Sequence, residues 1–156
     1  MSVRRDMLGE ILIKKGKLTQ TQLDEASRIQ RETGQLLGSI LLSNGFVSEK
    51  DLLQALSEQL NIDFISVSNI EVDWGLVNKL NKSLILEHRC FPIEQVDNLV
   101  TLAIANPLDM WAVSEAQKHF KGCMLKTVLV SQQDMDRLLD MYRGYVKGRI
   151  QRLIEE

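Results

Sequence analysis

Gln30 and Gln59 each place a side-chain amide on the same face as a helical apolar stripe. Leu23, Ala26 and Gln30 stand at i, i+3 and i+7, and Leu52, Ala55 and Gln59 repeat that spacing. An amide both donates and accepts, so it can read the polar edge of a ligand or tie down a backbone group at a helix end. The second set of reactive side chains is His88-x-Cys90 with His119-x-x-x-Cys123, two imidazoles and two thiols of the kind zinc accepts. Their spacing matches no recognised finger pattern, and cysteine is among the residue types most often fully buried. Free thiols in a cytoplasmic protein are therefore expected, and no metal.

Catalytic constellations are missing from the sequence. No phosphate-cradling G-x-x-x-x-G-K-[ST] occurs, since Gly16-Lys17 is followed by Leu18, and no G-x-G-x-x-G follows a strand. Two histidines and no Gly-x-Ser-x-Gly leave a hydrolytic triad little to build on. The carboxylates fall on helical faces where solvated charge accounts for them. The chain is expected not to be an enzyme by itself.

The elements that carry the amides are written twice. Leu8-Gly9-x-Ile11-Leu12-Ile13-x-x-Gly16-x-Leu18-Thr19-x-x-x-Leu23-x-x-Ala26-x-x-x-Gln30 returns 29 positions later as Leu37-Gly38-x-Ile40-Leu41-Leu42-x-x-Gly45-x-Val47-Ser48-x-x-x-Leu52-x-x-Ala55-x-x-x-Gln59, with no insertion. Each copy reads as a short helix, a turn and a longer helix. Gly16 and Gly45 stand where a left-handed residue ends a helix, and Thr19 and Ser48 follow as N-caps. Thr19 with Gln22 spells a capping box, and Ser48 with Asp51 a weaker one. Leu18 with Leu23, and Val47 with Leu52, have the spacing of a hydrophobic staple. Two copies are too few for a solenoid, so residues 1–61 are expected to form a four-helix unit.

With 156 residues, 44% hydrophobic, the chain can bury one core or two small adjoining ones. Net charge is −2, and acids balance bases through the first 60 residues, which argues against a nucleic-acid surface and a helix-turn-helix reader. The longest apolar run, Leu99 to Ala105, is too short to span a bilayer, and no secretory signal follows Arg4-Arg5.

After Asn61 the texture changes. Phe64 to Val67 leans to strand, and Val72 to Asn81 with Leu84 to Glu87 to helix. Cys90 to Val96 and Leu99 to Ala105 flank Asp97-Asn98 as a hairpin, with Pro92 confining the first arm to an edge or bulge. Asn106-Pro107 begins a helix running to about Lys121 with Gly122 as its stop; Met124 to Val130 is a strand; Ser131 caps a last helix. The fold class is α+β, the four-helix unit followed over 62–142 by a small α/β sandwich of split βαβ, ferredoxin-like order. Residues 143–156 read as a linker helix. A basic amphipathic segment touching a membrane is the other reading of that stretch, disfavoured by Gly144 and Gly148, which each cost about 1 kcal/mol of helicity. Glu155-Glu156 fall in mid-helix, so further chain is expected beyond them.

The doubled motif, followed by Leu60-Asn61-Ile62-Asp63-Phe64 and by Leu102-Ala103-Ile104-Ala105-Asn106-Pro107-Leu108-Asp109, resembles the N-terminal domain of type II secretion and type IV pilus assembly ATPases, called GSPII_E_N or MshEN. The resemblance covers residues 7–142. It implies a domain that precedes a hexameric motor ATPase and docks it, from the cytoplasm, on an inner-membrane assembly platform. The implied partners are a cytoplasmic domain of a platform protein and the chain's own C-terminal ATPase domain, with membrane contact only through partners. Some members bind cyclic di-GMP across the two motifs. Carried over by position, Leu8, Gly9, Leu23 and Gln30 match in the first copy, Leu37, Gly38, Leu52 and Gln59 in the second, and Asp109 matches a contact from the second subdomain. The arginine that opens each motif in binding members does not match. Met7 and Leu36 stand there, and neither replaces a guanidinium's bidentate contacts; Arg4 or Arg5 could reach in from the N-terminal arm, at an ordering cost.

Overall fold

The caps written into each repeat are made. The computed structural model of the chain describes residues 2–155, with side chains from Leu8 onward. Thr19 Oγ1 accepts from the Gln22 N–H at 3.1 Å and Gln22 Oε1 accepts from the Thr19 N–H at 3.1 Å, the full capping box. Ser48 Oγ accepts from the Asp51 N–H at 3.1 Å. Gly16 and Gly45 have φ of +71° and +70°, the left-handed turn the sequence required of them. The resulting helices are α1 (Ser2–Lys14), α2 (Gln20–Thr33), α3 (Leu37–Ser43) and α4 (Glu49–Leu60).

Backbone contacts divide the chain into two compact units, Met1–Phe64 and Ile65–Glu156. In the first, α1 packs on α4 and α2 on α3, so each copy leans on the other. Its core is made of repeat equivalents. Leu8 and Leu37, Leu12 and Leu41, Leu18 and Val47, Ala26 and Ala55 are all buried together, with Ile40 and Leu52, while Ile11 and Leu23 pack against them half-buried. Lys15 Nζ reaches Glu58 Oε1 at 2.6 Å across the α1–α4 contact.

The second unit contains α5 (Trp74–Val77), α6 (Lys82–Leu86), β1 (Cys90–Val96), β2 (Leu99–Ile104), α7 (Met110–His119), β3 (Met124–Leu129) and α8 (Gln132–Glu155). The sheet order is β1-β2-β3. β1 and β2 form the expected antiparallel hairpin, turning at Asp97 with φ 55°, and the register shifts between Pro92 and Glu94 on the edge strand. β2 and β3 are parallel and pair directly from Leu99↔Met124 to Ile104↔Leu129, with α7 as the crossover. The helix α8 lays Met135, Leu138, Leu139 and Tyr142 inward at i, i+3, i+4 and i+7.

The α+β class is as expected, and four details differ. Phe64 to Val67 is not a sheet strand: Phe64 stands in an isolated bridge and the Ile65 N–H goes to the Leu129 carbonyl at 2.9 Å, but the Val67 N–H goes to Asp134 Oδ2 at 3.2 Å, so the segment leaves the β3 edge there. The parallel pair is accordingly unsplit, with no strand inserted between β2 and β3. Val72 to Asn81 is not one helix. Asp73 caps α5, accepting from the Leu76 N–H at 3.1 Å, and Asn81 caps α6, accepting from the Ser83 N–H at 2.7 Å. Both side chains compete with the helical ladder for backbone donors. Finally, α7 starts at Met110, because Asn106 Oδ1 accepts from the Leu108 N–H in a local turn and Asp109 supplies the cap; the helix ends at His119, short of Gly122.

Candidate functional site

The motif glycines are notches for the motif leucines. Gly9, in mid-α1, faces Leu23 of α2 so closely that a methyl built on it would sit 2.8 Å from both Leu23 Cδ1 and Cδ2. Gly38 faces Leu52 in the same way but with room, the equivalent distances being 3.5 and 3.7 Å. The structure therefore brings Gly9 to Leu23 and Gly38 to Leu52, one pair per copy, with Leu8, Leu37 and Leu52 buried in the common core.

Gln30 is half-buried near the C-terminus of α2 and is already engaged. Its Nε2 donates to the Gln35 carbonyl at 3.2 Å, and the backbone carbonyl of Gln30 accepts from the Gly34 N–H at 2.8 Å. The amide thus ties the α2–α3 connection, the backbone role open to such a side chain at a helix end. Gln59 is half-buried one residue before the end of α4. Leu36, at the opening position of the second copy, is 53% exposed and forms no side-chain cap. Met7, Arg4 and Arg5 lie outside the described side chains.

Asp109 belongs to the second unit, where both its oxygens are committed. Oδ1 accepts from the Ala112 N–H at 3.1 Å as the cap of α7, and Oδ2 lies 2.8 Å from His88 Nδ1. The His88 hydrogen bond, aided by that of Ala112 and opposed by burial, holds the carboxyl below its ordinary range. The His88 ring lies 4.9 Å from Trp111, which is 58% exposed beside Met110 and Leu108, both also exposed. Cys90 is buried behind this pair; burial, then the Asp109 charge, pushes its thiol up to about 12. Cys123 stands apart, accepting a long 3.7 Å contact from Gln95 Nε2. Among the described residues no three His, Cys, Asp or Glu side chains come together as a metal site.

Sequence reasoning missed the partnership of His88 with Asp109 and Trp111, since the pair is separated by 21 positions. The Asn-Pro-Leu-Asp spelling carried a signal for the cap of α7 alone. Also missed was the way α8 is held beyond Gly144: Tyr145 stacks on Trp74 with centroids 4.1 Å apart and planes 4° from parallel, and its hydroxyl accepts from Asn78 Nδ2 at 3.0 Å. Among the described residues no helix is long and apolar enough to cross a membrane.

Comparison with known proteins places these features in a family. The MshEN domain model matches residues 60–149. The type IV pilus assembly ATPase PilB of Myxococcus xanthus (strain DK1622) is 24% identical over 135 residues, 86% of this chain and 24% of that protein. The type II secretion system protein E of Xanthomonas campestris pv. campestris is 26% identical over 155 residues, 94% of this chain and 26% of that protein. The chain thus spans about a quarter of the length of these relatives. Among solved structures, that of MshE with cdg is similar at a TM-score of 0.76 and 28% identity, covering 86% of this chain and 97% of that one. A match over residues 60–149 takes in more than half of the sequence, and the chain belongs to the MshEN domain family.

Proposed function

We propose that the chain is a non-catalytic docking and regulatory module of a type II secretion or type IV pilus motor ATPase. In this reading it binds the cytoplasmic side of an inner-membrane assembly platform and is itself peripheral to that membrane. The observation that carries it is the use to which the motif residues are put: the glycines receive leucines of their own repeat, and the Gln30 amide holds a backbone carbonyl. Residues spent on packing and turning build a scaffold whose outer faces are free for a protein partner. Calorimetry with the cytoplasmic domains of platform proteins encoded beside the gene tests this. Binding by one of them is the expected result, and none by any, for folded protein, overturns it. The same preparation should not turn over ATP, and turnover that follows the protein through purification refutes the non-catalytic part.

A second reading rests on the similarity to the structure of MshE with cdg, taken as cyclic di-GMP. Here Leu8, Gly9, Leu23 and Gln30 form one half of a ligand surface and Leu37, Gly38, Leu52 and Gln59 the other. Met7 stands where binding members carry arginine, so wild type binds weakly or not at all. Met7→Arg gains about 1.5–3 kcal/mol, the range of a hydrogen bond to a charged group, and Gln30→Ala in that background loses part of it. Isothermal titration of the three proteins at matched salt tests this. Tight wild-type binding that survives both Gln30→Ala and Gln59→Ala overturns the residue assignment.

A further inference from the structure

The face of α8 that follows its buried turns is not covered. Tyr142 is 6% exposed, Ile150 is 54%, Leu153 69% and Ile154 79%, so one apolar stripe at helical spacing passes from core to surface along a single helix. Where it emerges, α6 stands beside it and the two helices bound a groove of about 380 Å³, floored by Leu86, Val146 and Ile150.

The rim of that groove carries one sign of charge. Lys82 comes from the α6 wall, Arg143 and Lys147 from the α8 wall, and no carboxylate lines it. Arg143 Nη1 reaches Asp140 at 3.2 Å, an exposed pair of small worth, while among the described residues Lys82 and Lys147 make no ion pair. Facing cations over an apolar floor repel each other unless something anionic lies between them. The concave shape matters too, because a planar bilayer would reach one wall at a time, whereas an inserted segment meets both. Apolar anchors at i, i+4 and i+8 along α8, Tyr142, Val146 and Ile150, are the half-interface of a helix-in-groove contact.

We propose that this α6–α8 groove is the docking surface for an acidic amphipathic helical segment of a partner protein, its apolar residues on Leu86, Val146 and Ile150 and its carboxylates between Lys82 and Lys147. The inference rests on the docking reading above and assigns it a place on the second unit. Hydrophobic burial supplies the affinity and the lysines the sign selection and the rate of encounter.

The test uses a labelled helical peptide of leucine and glutamate in amphipathic order, its leucine and lysine counterpart, and the platform cytoplasmic domain, titrated against wild type, Lys82→Glu/Lys147→Glu and Ile150→Asp. The acidic peptide should bind wild type and the basic one should not. The double reversal should weaken the acidic peptide roughly tenfold, as reversing two rim charges implies, and should admit the basic one. Ile150→Asp tests the floor at an exposed position that folding does not need. Loss of platform-domain binding in the variants, with circular dichroism unchanged, supports the groove. Platform binding that is equal in wild type and variants overturns the groove and leaves docking standing. Failure of the platform domain to bind wild type overturns docking itself, and equal binding of both peptides overturns the charge argument. Binding of anionic vesicles in preference to the acidic peptide would assign the groove to a membrane and overturn the proposal.

Discussion

Alanine at Gly9 and alanine at Gly38 should have opposite effects, although the two residues occupy the same position of a duplicated motif. Removing a glycine from a helix interior gains about 1 kcal/mol, and Gly9 lies in mid-α1 where that gain applies in full. Against it stands the new methyl at 2.8 Å from two Leu23 carbons, which forces Leu23 off its place on the core and costs about 1–3 kcal/mol. Leu23 is half-buried and can swing part of the way, so the difference of the two terms is a net loss of up to about 2 kcal/mol. Gly38 is the second residue of the seven-residue α3, where the helical gain is smaller, about 0.5 kcal/mol, and its methyl would meet Leu52 at ordinary contact distance. Gly38→Ala should therefore be neutral or slightly stabilising. Urea unfolding followed by circular dichroism resolves the separation, since slopes of about 2 kcal/mol/M turn it into midpoints up to about 1 M apart. Trp74 and Trp111 both lie in the second unit, so a dichroism shift that exceeds the fluorescence shift places the loss in the helical unit. Equal destabilisation by the two substitutions would refute the idea that Gly9 alone is a tight notch.

Three further outcomes follow from local geometry. Thr19→Ala should cost about 1 kcal/mol through loss of the capping box, and more than Ser48→Ala, whose hydroxyl caps through the Asp51 N–H without the reciprocal bond; paired urea melts check the order. Because the Asp109 carboxyl is held low in the folded chain, its bond to His88 adds stability above the unfolded carboxylate range that is lost as pH falls through the folded value; Asp109→Asn should flatten the acid limb of a stability profile below about pH 4. A thiol pushed up to about 12 is protonated at pH 8, so a disulfide reagent should titrate Cys123 in the native protein and Cys90 only after unfolding, and rapid reaction of both would contradict the burial of Cys90.

What was legible in the sequence is what short-range chemistry determines. Thr19, Ser48, Gly16 and Gly45 act within four residues of themselves, and each makes the cap or turn its type implied. The duplicated core was readable because the apolar positions of the motif recur in both copies, and a stripe that recurs must face something that recurs. The hairpin around Asp97 and the irregularity at Pro92 were likewise local. Errors arose where a side chain's partner was distant. Phe64 to Val67 has strand composition, but the Val67 donor is claimed by Asp134, 67 positions away, and no local pattern announces that. The partner of His88 is Asp109, 21 positions away, and no local pattern announces that pair either. In the segment from Val72 to Asn81 the apolar periodicity was real, but Asp73 and Asn81 were counted as helical when they are the caps that divide it.

The relative size of three contacts decides what governs cyclic di-GMP binding, if the module binds it. For Gln30 to serve a ligand, its Nε2 must release the Gln35 carbonyl, a neutral exposed bond worth about 1 kcal/mol net, and the new bond to the ligand repays about the same. The exchange is close to even, so releasing the tether costs binding little, and Gln30→Ala should lose the ligand bond of about 1 kcal/mol, a part of what Met7→Arg gains. Gly9 and Gly38 set distance of approach but add no bond of their own. A guanidinium at the Met7 position would add a charge-assisted, bidentate contact of about 1.5–3 kcal/mol with no bond first to be broken. In the dinucleotide reading proposed above, residue 7 therefore outweighs the rest of the motif, and a chain that keeps both glutamines and both glycines but carries methionine there is expected to lose most of the affinity. That is the physical reason for ranking docking ahead of dinucleotide sensing in this member of the family.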